Sequence, residues 1–133
     1  MIARRHLLAM AAATPFGLAR PTLLHAQAFP ARPVRIVVPF SAGGGTDVLT
    51  RILARGMTEK LGQQVVIENR TGAGGNLAME NVIRSPADGY SLLMGTNGAV
   101  AVNRHLYRNM GFDPLTDLAP VSLAFRIEHL MAV

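Results

Sequence analysis

Apolar runs alternate with polar, glycine-rich segments along most of the chain. Residues 34–38 form a run of β-branched side chains interrupted only by Arg35, as is typical of a strand buried in a parallel sheet. The largely apolar runs at 65–68 and 90–94 predict two further strands. A glycine loop and then a helical segment follow each run, so the order strand, loop, helix occurs three times. This order predicts an α/β fold with a mostly parallel sheet and flanking helices.

The first helix is predicted over 47–61. Thr46 is expected to cap its N-terminus, Asp47 to favour the positive end of the helix dipole, and Gly62 to end the helix. Shorter helices are predicted from about 76 to 84 and from 99 to 106, and an extended apolar segment over 118–125. The first helix should carry one apolar stripe of residues spaced by four, Leu49, Leu53, Met57 and Leu61, with Ile52 beside it.

Three polar glycine loops, 41–46, 69–75 and 95–98, follow the three strands. In a parallel sheet such loops leave the carboxyl ends of the strands and converge on one edge. Helix N-termini present unpaired N–H groups and partial positive charge there, so the expected guest is a carboxylate or a phosphate. The short polar side chains in these loops would either orient an oxygen-rich ligand or cap the helices; they are Ser41, Thr46, Thr96 and Asn97.

Nucleotide and catalytic motifs are incomplete. Gly72 and Gly74 supply the first two glycines of G-x-G-x-x-G, but Leu77 stands in the third place, and no loop contains Gly-Lys-Ser/Thr. His105 and His129 lack a nearby nucleophile or carboxylate and are interpreted as ordinary polar residues. Asp47 is either a general base or a carboxylate at a helix start. With no cysteine in the chain, disulfides and thiolate metal sites are excluded, and we expect no cofactor and no metal.

Residues 1–28 are predicted to be a signal peptide. A basic start is followed by an apolar stretch and by Ala26-Gln27-Ala28, which suits cleavage before Phe29. The pair Arg4-Arg5 leaves both the Sec and the twin-arginine export routes open. The stretch is shorter than the roughly 20 residues of a spanning helix, so no stable membrane insertion is expected. The expected location is the periplasm.

The charge of the chain is concentrated in this leader. The whole sequence has a formal net charge of +5, and three of its 13 basic residues lie in the leader, so ten remain against eight acidic residues. The remaining net charge of +2, without runs of Lys or Arg, provides no basic surface of the kind that binds nucleic acid. Nucleic-acid binding is therefore not expected.

Residues 29–133 resemble the Bug-type receptors, the solute-binding proteins of tripartite tricarboxylate transporters. The resemblance is carried by FPARPVRIVVPFSAGGGTD (29–47), LGQQVVIENR (61–70), GAGGN (72–76), PADGYSLL (86–93) and DLAPV (117–121), in the order and spacing of that family. It implies a type 2 periplasmic-binding-protein-like fold of two domains, which close on a small carboxylate and are recognised by membrane transporter subunits.

The resemblance also implies the ligand contacts. Backbone N–H groups and hydroxyls of the first two loops would hold a ligand carboxylate, and the third loop would reach the ligand's other end. In this sequence the corresponding residues are Ser41, Ala42, Gly43, Gly44 and Thr46, with Asp47 beside them, then Gly72, Ala73 and Gly74, and finally Thr96 and Asn97.

The chain is shorter than members of that family. We interpret 29–125 as an incomplete first α/β domain and 126–133 as the start of a crossover to a second domain that is largely missing. The end of the sequence in the apolar run 130–133 is interpreted as a truncation, so the chain alone is expected to bind ligand weakly or not at all. The alternative hypothesis is an α/β enzyme acting on a phosphorylated or carboxylated substrate, with its catalytic residues in the missing chain.

Overall fold

The computed structural model describes residues 28–127 and Met131. Strands β1 (Val34–Val38), β2 (Val65–Asn69) and β3 (Ser91–Leu93) form one sheet in the order β2-β1-β3. Both outer strands run parallel to β1. The predicted parallel α/β architecture is therefore confirmed. The predicted leader, apart from Ala28, and residues 128–130, 132 and 133 of the predicted crossover lie outside the described residues.

Helix α1 (Gly45–Leu61) covers one face of the sheet. Alternate side chains of β1 project to that face, as strand geometry requires, and meet Ala54 of the helix. Gly62 ends α1 in the left-handed conformation, with φ 65°, and its N–H donates to the carbonyl of Thr58, which confirms the predicted C-terminal cap. The core on this face consists of Val34, Ile36, Val38, Ala54, Val65 and Met94.

The face that α1 turns to the sheet differs from the predicted stripe. Met57 and Leu61 do pack against the core, but Leu49 and Ile52 remain 37% and 65% exposed. The residues buried in their place are Asp47, Thr50 and Ala54. Small side chains at 50 and 54 let the helix lie close to the strands, and the apolar residues beside them face outward.

Helix α2 (Asn76–Ile83) lies on the opposite face, where Arg35 projects from the middle of β1. The guanidinium of Arg35 donates to Glu68 at 2.8 Å and Ser91 at 3.2 Å on the neighbouring strands. It also donates to Asn81 at 3.1 Å and Ser85 at 2.9 Å. One side chain thus connects all three strands with α2 and the turn that follows it.

The third predicted helix is irregular. A π-helical turn, Gly98–Val102, leads into the short helix α3 (Asn103–Leu106). The predicted extended segment 118–125 forms no strand, because it pairs with no other strand in the described part of the chain. Phe125 nevertheless packs against the core on the α1 face.

Residues just after the predicted cleavage point belong to the fold. The ring of Phe29 meets Tyr90 edge-on, with 5.0 Å between centroids. The N–H of Ala31 donates to the hydroxyl of Tyr90 at 2.8 Å, and the guanidinium of Arg32 lies 4.2 Å from the centre of that ring. No helix within 28–127 combines the length and the hydropathy needed to cross a membrane.

Candidate functional site

The three glycine loops do meet at the carboxyl edge of the sheet. The side-chain amide of Asn69, at the end of β2, donates to the carbonyl of Phe40 at 3.0 Å and to Asp47 at 2.9 Å in the first loop. A methyl group added at Gly75 in the second loop would lie 3.1 Å from Pro39 and 3.0 Å from Ala99. The predicted convergence is therefore present, and Gly75 packs between Pro39, which precedes Phe40 and the first loop, and Ala99, which follows the third loop.

Asp47 organises the first loop from a buried position, with 2% of its surface exposed. Its carboxylate accepts hydrogen bonds from Arg51 Nε, the N–H of Gly43 and the amide of Asn69, all at 2.9 Å. Arg51, then the N–H of Gly43 and the amide of Asn69, hold the pKa of Asp47 well below its ordinary value of 3.8, against the opposing effect of burial. Asp47 is therefore an ionised structural centre of the loop.

The N-termini of α1 and α2 carry no side-chain caps. Gly44 precedes α1 and Gly75 precedes α2, and neither helix start has a capping hydrogen bond from a side chain. Thr46 lies inside the first turn of α1, where its carbonyl accepts from Thr50, so the predicted cap at Thr46 is wrong. A helix start bordered by glycine leaves its N–H groups and positive dipole end open to a ligand.

The second loop has an unusual backbone. Four consecutive residues have positive φ: 129° at Gly72, 47° at Ala73, 64° at Gly74 and 99° at Gly75. Glycine adopts these angles freely, whereas Ala73 carries a steric cost of about 1–3 kcal/mol there. Such strain is typical of binding loops held by their surroundings.

The third loop caps its own helical turn. The side chain of Asn97 accepts from the N–H of Gly98 at 2.9 Å, and Thr96 Oγ1 lies 3.4 Å from the N–H of Ala99. Both side chains therefore help to cap this turn.

Sequence reasoning overlooked the residue that joins the second and third loops. Asn103 is 5% exposed, and its amide donates to the carbonyl of Gly74 at 3.0 Å and to Asn76 at 2.7 Å. Nothing in the sequence around position 103 distinguishes this asparagine from a surface residue. The sequence places Asn69 in the second loop, but it does not predict the hydrogen bond from Asn69 to Asp47.

The geometry suits anion binding by the backbone better than it suits catalysis. Residues 28–127 contain no cluster of three histidine or acidic side chains that could hold a metal ion. A general base works best with a pKa near the operating pH, and the low pKa of Asp47 is unfavourable for that role.

The fold and this loop edge define a class: the chain has the architecture of about one third of a periplasmic binding protein. MatC from Rhodopseudomonas palustris, solved with bound malate, superposes with a TM-score of 0.69 and 40% identity over 72% of this chain and 33% of MatC. A second R. palustris protein, solved with adipate, gives a TM-score of 0.63 and 50% identity over 66% of this chain and 29% of its own.

The family follows from the sequence comparisons. Residues 49–132 match the model of the tripartite tricarboxylate transporter family receptor, and the chain belongs to that family. It is similar to the protein BugT of Bordetella pertussis, with 44% identity over 108 residues, which cover 80% of this chain and 32% of BugT. The chain thus spans about one third of the length of the curated relatives that it matches. The predicted membership of the Bug-type family is confirmed.

Proposed function

We propose that this chain provides the carboxylate-holding part of an extracytoplasmic receptor, which captures a small carboxylate solute for a tripartite tricarboxylate transporter. The observation that carries the proposal is that two helices, α1 and α2, begin without side-chain caps at the same glycine-lined carboxyl edge of the sheet. The malate and adipate of the two solved relatives are both dicarboxylates, which supports this ligand class.

The proposed contacts follow the loops. In the first loop, Ser41 is exposed, and the backbone of Ala42, Gly44 and Thr46 borders the start of α1. The N–H of Gly43 already donates to Asp47, so Gly43 contributes by shaping the loop. In the second loop, the contacts are proposed at Gly72, Ala73 and Gly74, and Thr96 and Asn97 would reach the far end of the ligand.

Backbone donors suffice for useful affinity. A hydrogen bond to a charged oxygen contributes about 1.5–3 kcal/mol, so three or four would support roughly micromolar binding after the entropic cost of association. An arginine or lysine in the pocket is not required by this estimate. The receptor is proposed to bind its ligand without catalysing a reaction. The low pKa of Asp47 supports this, because it makes Asp47 a weak general base.

Thermal-shift and titration measurements test the function. The 133-residue chain, and a version extended through any downstream reading frame, are titrated with malate, adipate and citrate, and with dimethyl adipate as the uncharged control. We expect the carboxylates alone to stabilise the protein, and the extended protein to respond more strongly. Equal responses to adipate and its diester would contradict the proposal, as would stabilisation by ATP, titrated in parallel, without stabilisation by any carboxylate.

A pair of serine variants refines the test. Ser41→Ala removes a hydroxyl from the first loop, and Ser122→Ala removes one from the exposed segment 118–125. Loss of a hydrogen bond to a charged group should weaken carboxylate binding about tenfold in the first variant and leave the second unchanged. Equal affinity in both variants would remove Ser41 from the site.

Residues 1–28 are proposed to direct export to the periplasm and to be removed before Phe29. N-terminal sequencing of the exported protein tests the boundary. Replacing both Arg4 and Arg5 by lysine distinguishes the routes, because export through the twin-arginine pathway should fail and Sec export should continue.

A further inference from the structure

The connection between the second and third loops depends on one buried amide. Asn103 follows the π-helical turn, and its amide contacts both the carbonyl of Gly74 and the side chain of Asn76, the first residue of α2. Because both asparagines are almost fully buried, each satisfies part of the other's hydrogen-bonding requirement. A change at position 103 would leave Gly74 or Asn76 without a partner.

These contacts fix a single peptide plane in the second loop. Asn103 holds the carbonyl of Gly74, and the N–H of Gly75 on the same peptide donates to the carbonyl of Gly72 at 2.9 Å. Since the peptide group is rigid, holding both of its ends sets its orientation. The backbone immediately before it, at Ala73 and Gly74, carries the N–H groups proposed to meet the ligand.

Apart from these bonds and the packing of Gly75 against Pro39 and Ala99, the residues of the loop do little to restrain its backbone. Gly72, Gly74 and Gly75 have wide conformational freedom, and Ala73 is held at a φ of 47° that alanine disfavours. Without an external contact, such a sequence would populate many backbone states, and its N–H groups would seldom point together. Preorganised donors bind more tightly because the cost of ordering them is met during folding.

We propose that Asn103 is a positioning residue for carboxylate binding: it aligns the N–H groups of the second loop without touching the ligand. This inference rests on the proposed carboxylate-receptor function. It assigns the third strand–helix unit a role in affinity through the second loop, separate from any contact made by Thr96 or Asn97.

Asn103→Asp is the most informative variant. Aspartate has the size of asparagine but no N–H to donate to Gly74, while Asn76 can turn its own amide to donate to the new carboxylate. Asn109→Asp is the matched control, since it introduces the same charge at an exposed position in the same part of the chain.

Two measurements on the same proteins decide the matter, with malate and adipate as probes. Amide hydrogen exchange at Gly75 should quicken about tenfold in Asn103→Asp, and affinity for the better probe should fall about tenfold, whereas Asn109→Asp should match the wild type in both. A purely structural role would lower Tm without changing the affinity of the folded protein.

The outcomes separate the two proposals. If the wild type binds a probe and Asn103→Asp binds it equally well, the positioning role is overturned and the receptor function stands. If neither probe nor citrate binds to the wild type or its extended version, the receptor function fails, and the positioning role fails with it. Faster exchange together with weaker binding supports both.

Discussion

Replacing Arg35 by methionine tests how the sheet is held together. The substitution keeps an unbranched apolar stem but removes every hydrogen bond that the guanidinium makes. Those bonds reach Glu68, Asn81, Ser85 and Ser91, on both neighbouring strands and on α2 with its following turn. We expect a loss of stability that is large for a residue whose side chain is 30% exposed.

The magnitude follows from the number and the exposure of these contacts. A half-buried ion pair with Glu68 contributes about 1 kcal/mol, and three neutral acceptors add about 0.5 kcal/mol each, which are partly recovered by water. The sum is about 2 kcal/mol. For a domain of this size, that corresponds to a fall in Tm of about 8–16 °C.

Arg84→Met is the matched control, because within residues 28–127 Arg84 forms an ion pair only with Glu80, four positions earlier, and has 78% of its side chain exposed. Its expected cost is below about 0.5 kcal/mol. Urea unfolding followed by circular dichroism at pH 7 measures both variants. Equal losses of stability for Arg35→Met and Arg84→Met would refute the proposed connecting role of Arg35.

The pH dependence provides a second criterion. Arg70, and after it Arg35, keep the pKa of Glu68 below its ordinary value of 4.5. A lowered pKa in the folded state gives stability that is present above the unfolded value and is lost as the pH falls through the folded value. The difference between wild type and Arg35→Met should therefore narrow below about pH 4. A constant difference from pH 7 to pH 3 would show that the ion pair contributes nothing.

Two further predictions concern the loop edge, and a third concerns helix α1. Asp47→Asn should lower Tm at pH 7, and below about pH 4 its stability should fall less with pH than that of the wild type. The reason is that a pKa lowered by folding gives stability that is fully present above the ordinary pKa of 3.8 and is lost as the pH falls below it. A parallel shift of the two curves of Tm against pH would contradict this. Gly75→Ala should cost about 1–3 kcal/mol in urea unfolding, since its methyl group would press on Pro39 and Ala99 at a φ of 99°. Gly56→Ala, in an open part of α1, should instead stabilise the protein by about 0.5–1 kcal/mol, and a loss there would refute the helix assignment.

The strands and the loop edge were predictable because their signals are local. A β-branched run closed by Pro39 marks β1, and glycine loops after three successive strands must meet in a parallel sheet. The observed ends of the elements differ from the predicted ends by one or two residues. At β3, for example, the backbones of Tyr90 and Met94 form hydrogen bonds to β1 just beyond the regular strand.

The orientation of α1 was less accessible to sequence reasoning. Its outward side is also apolar, so periodicity cannot distinguish the face that meets the sheet from the face that does not. Asp47 is decisive, because its carboxylate must reach the N–H of Gly43 and the amide of Asn69, which draws the start of the helix inward. Contacts between residues more than 20 positions apart, such as Asn103 with Gly74, leave no local trace.

The close packing around Gly75 also has a kinetic consequence. Pro39 and Ala99 pack so closely on Gly75 that a methyl group there would force them to shift, so this packing opposes movement of the second loop against its neighbours. Under the proposed receptor function, a solute arriving from solution would meet donors that are already in place, so first capture at this edge would be governed by diffusion and orientation. Residence time would then depend on how readily the captured solute is released.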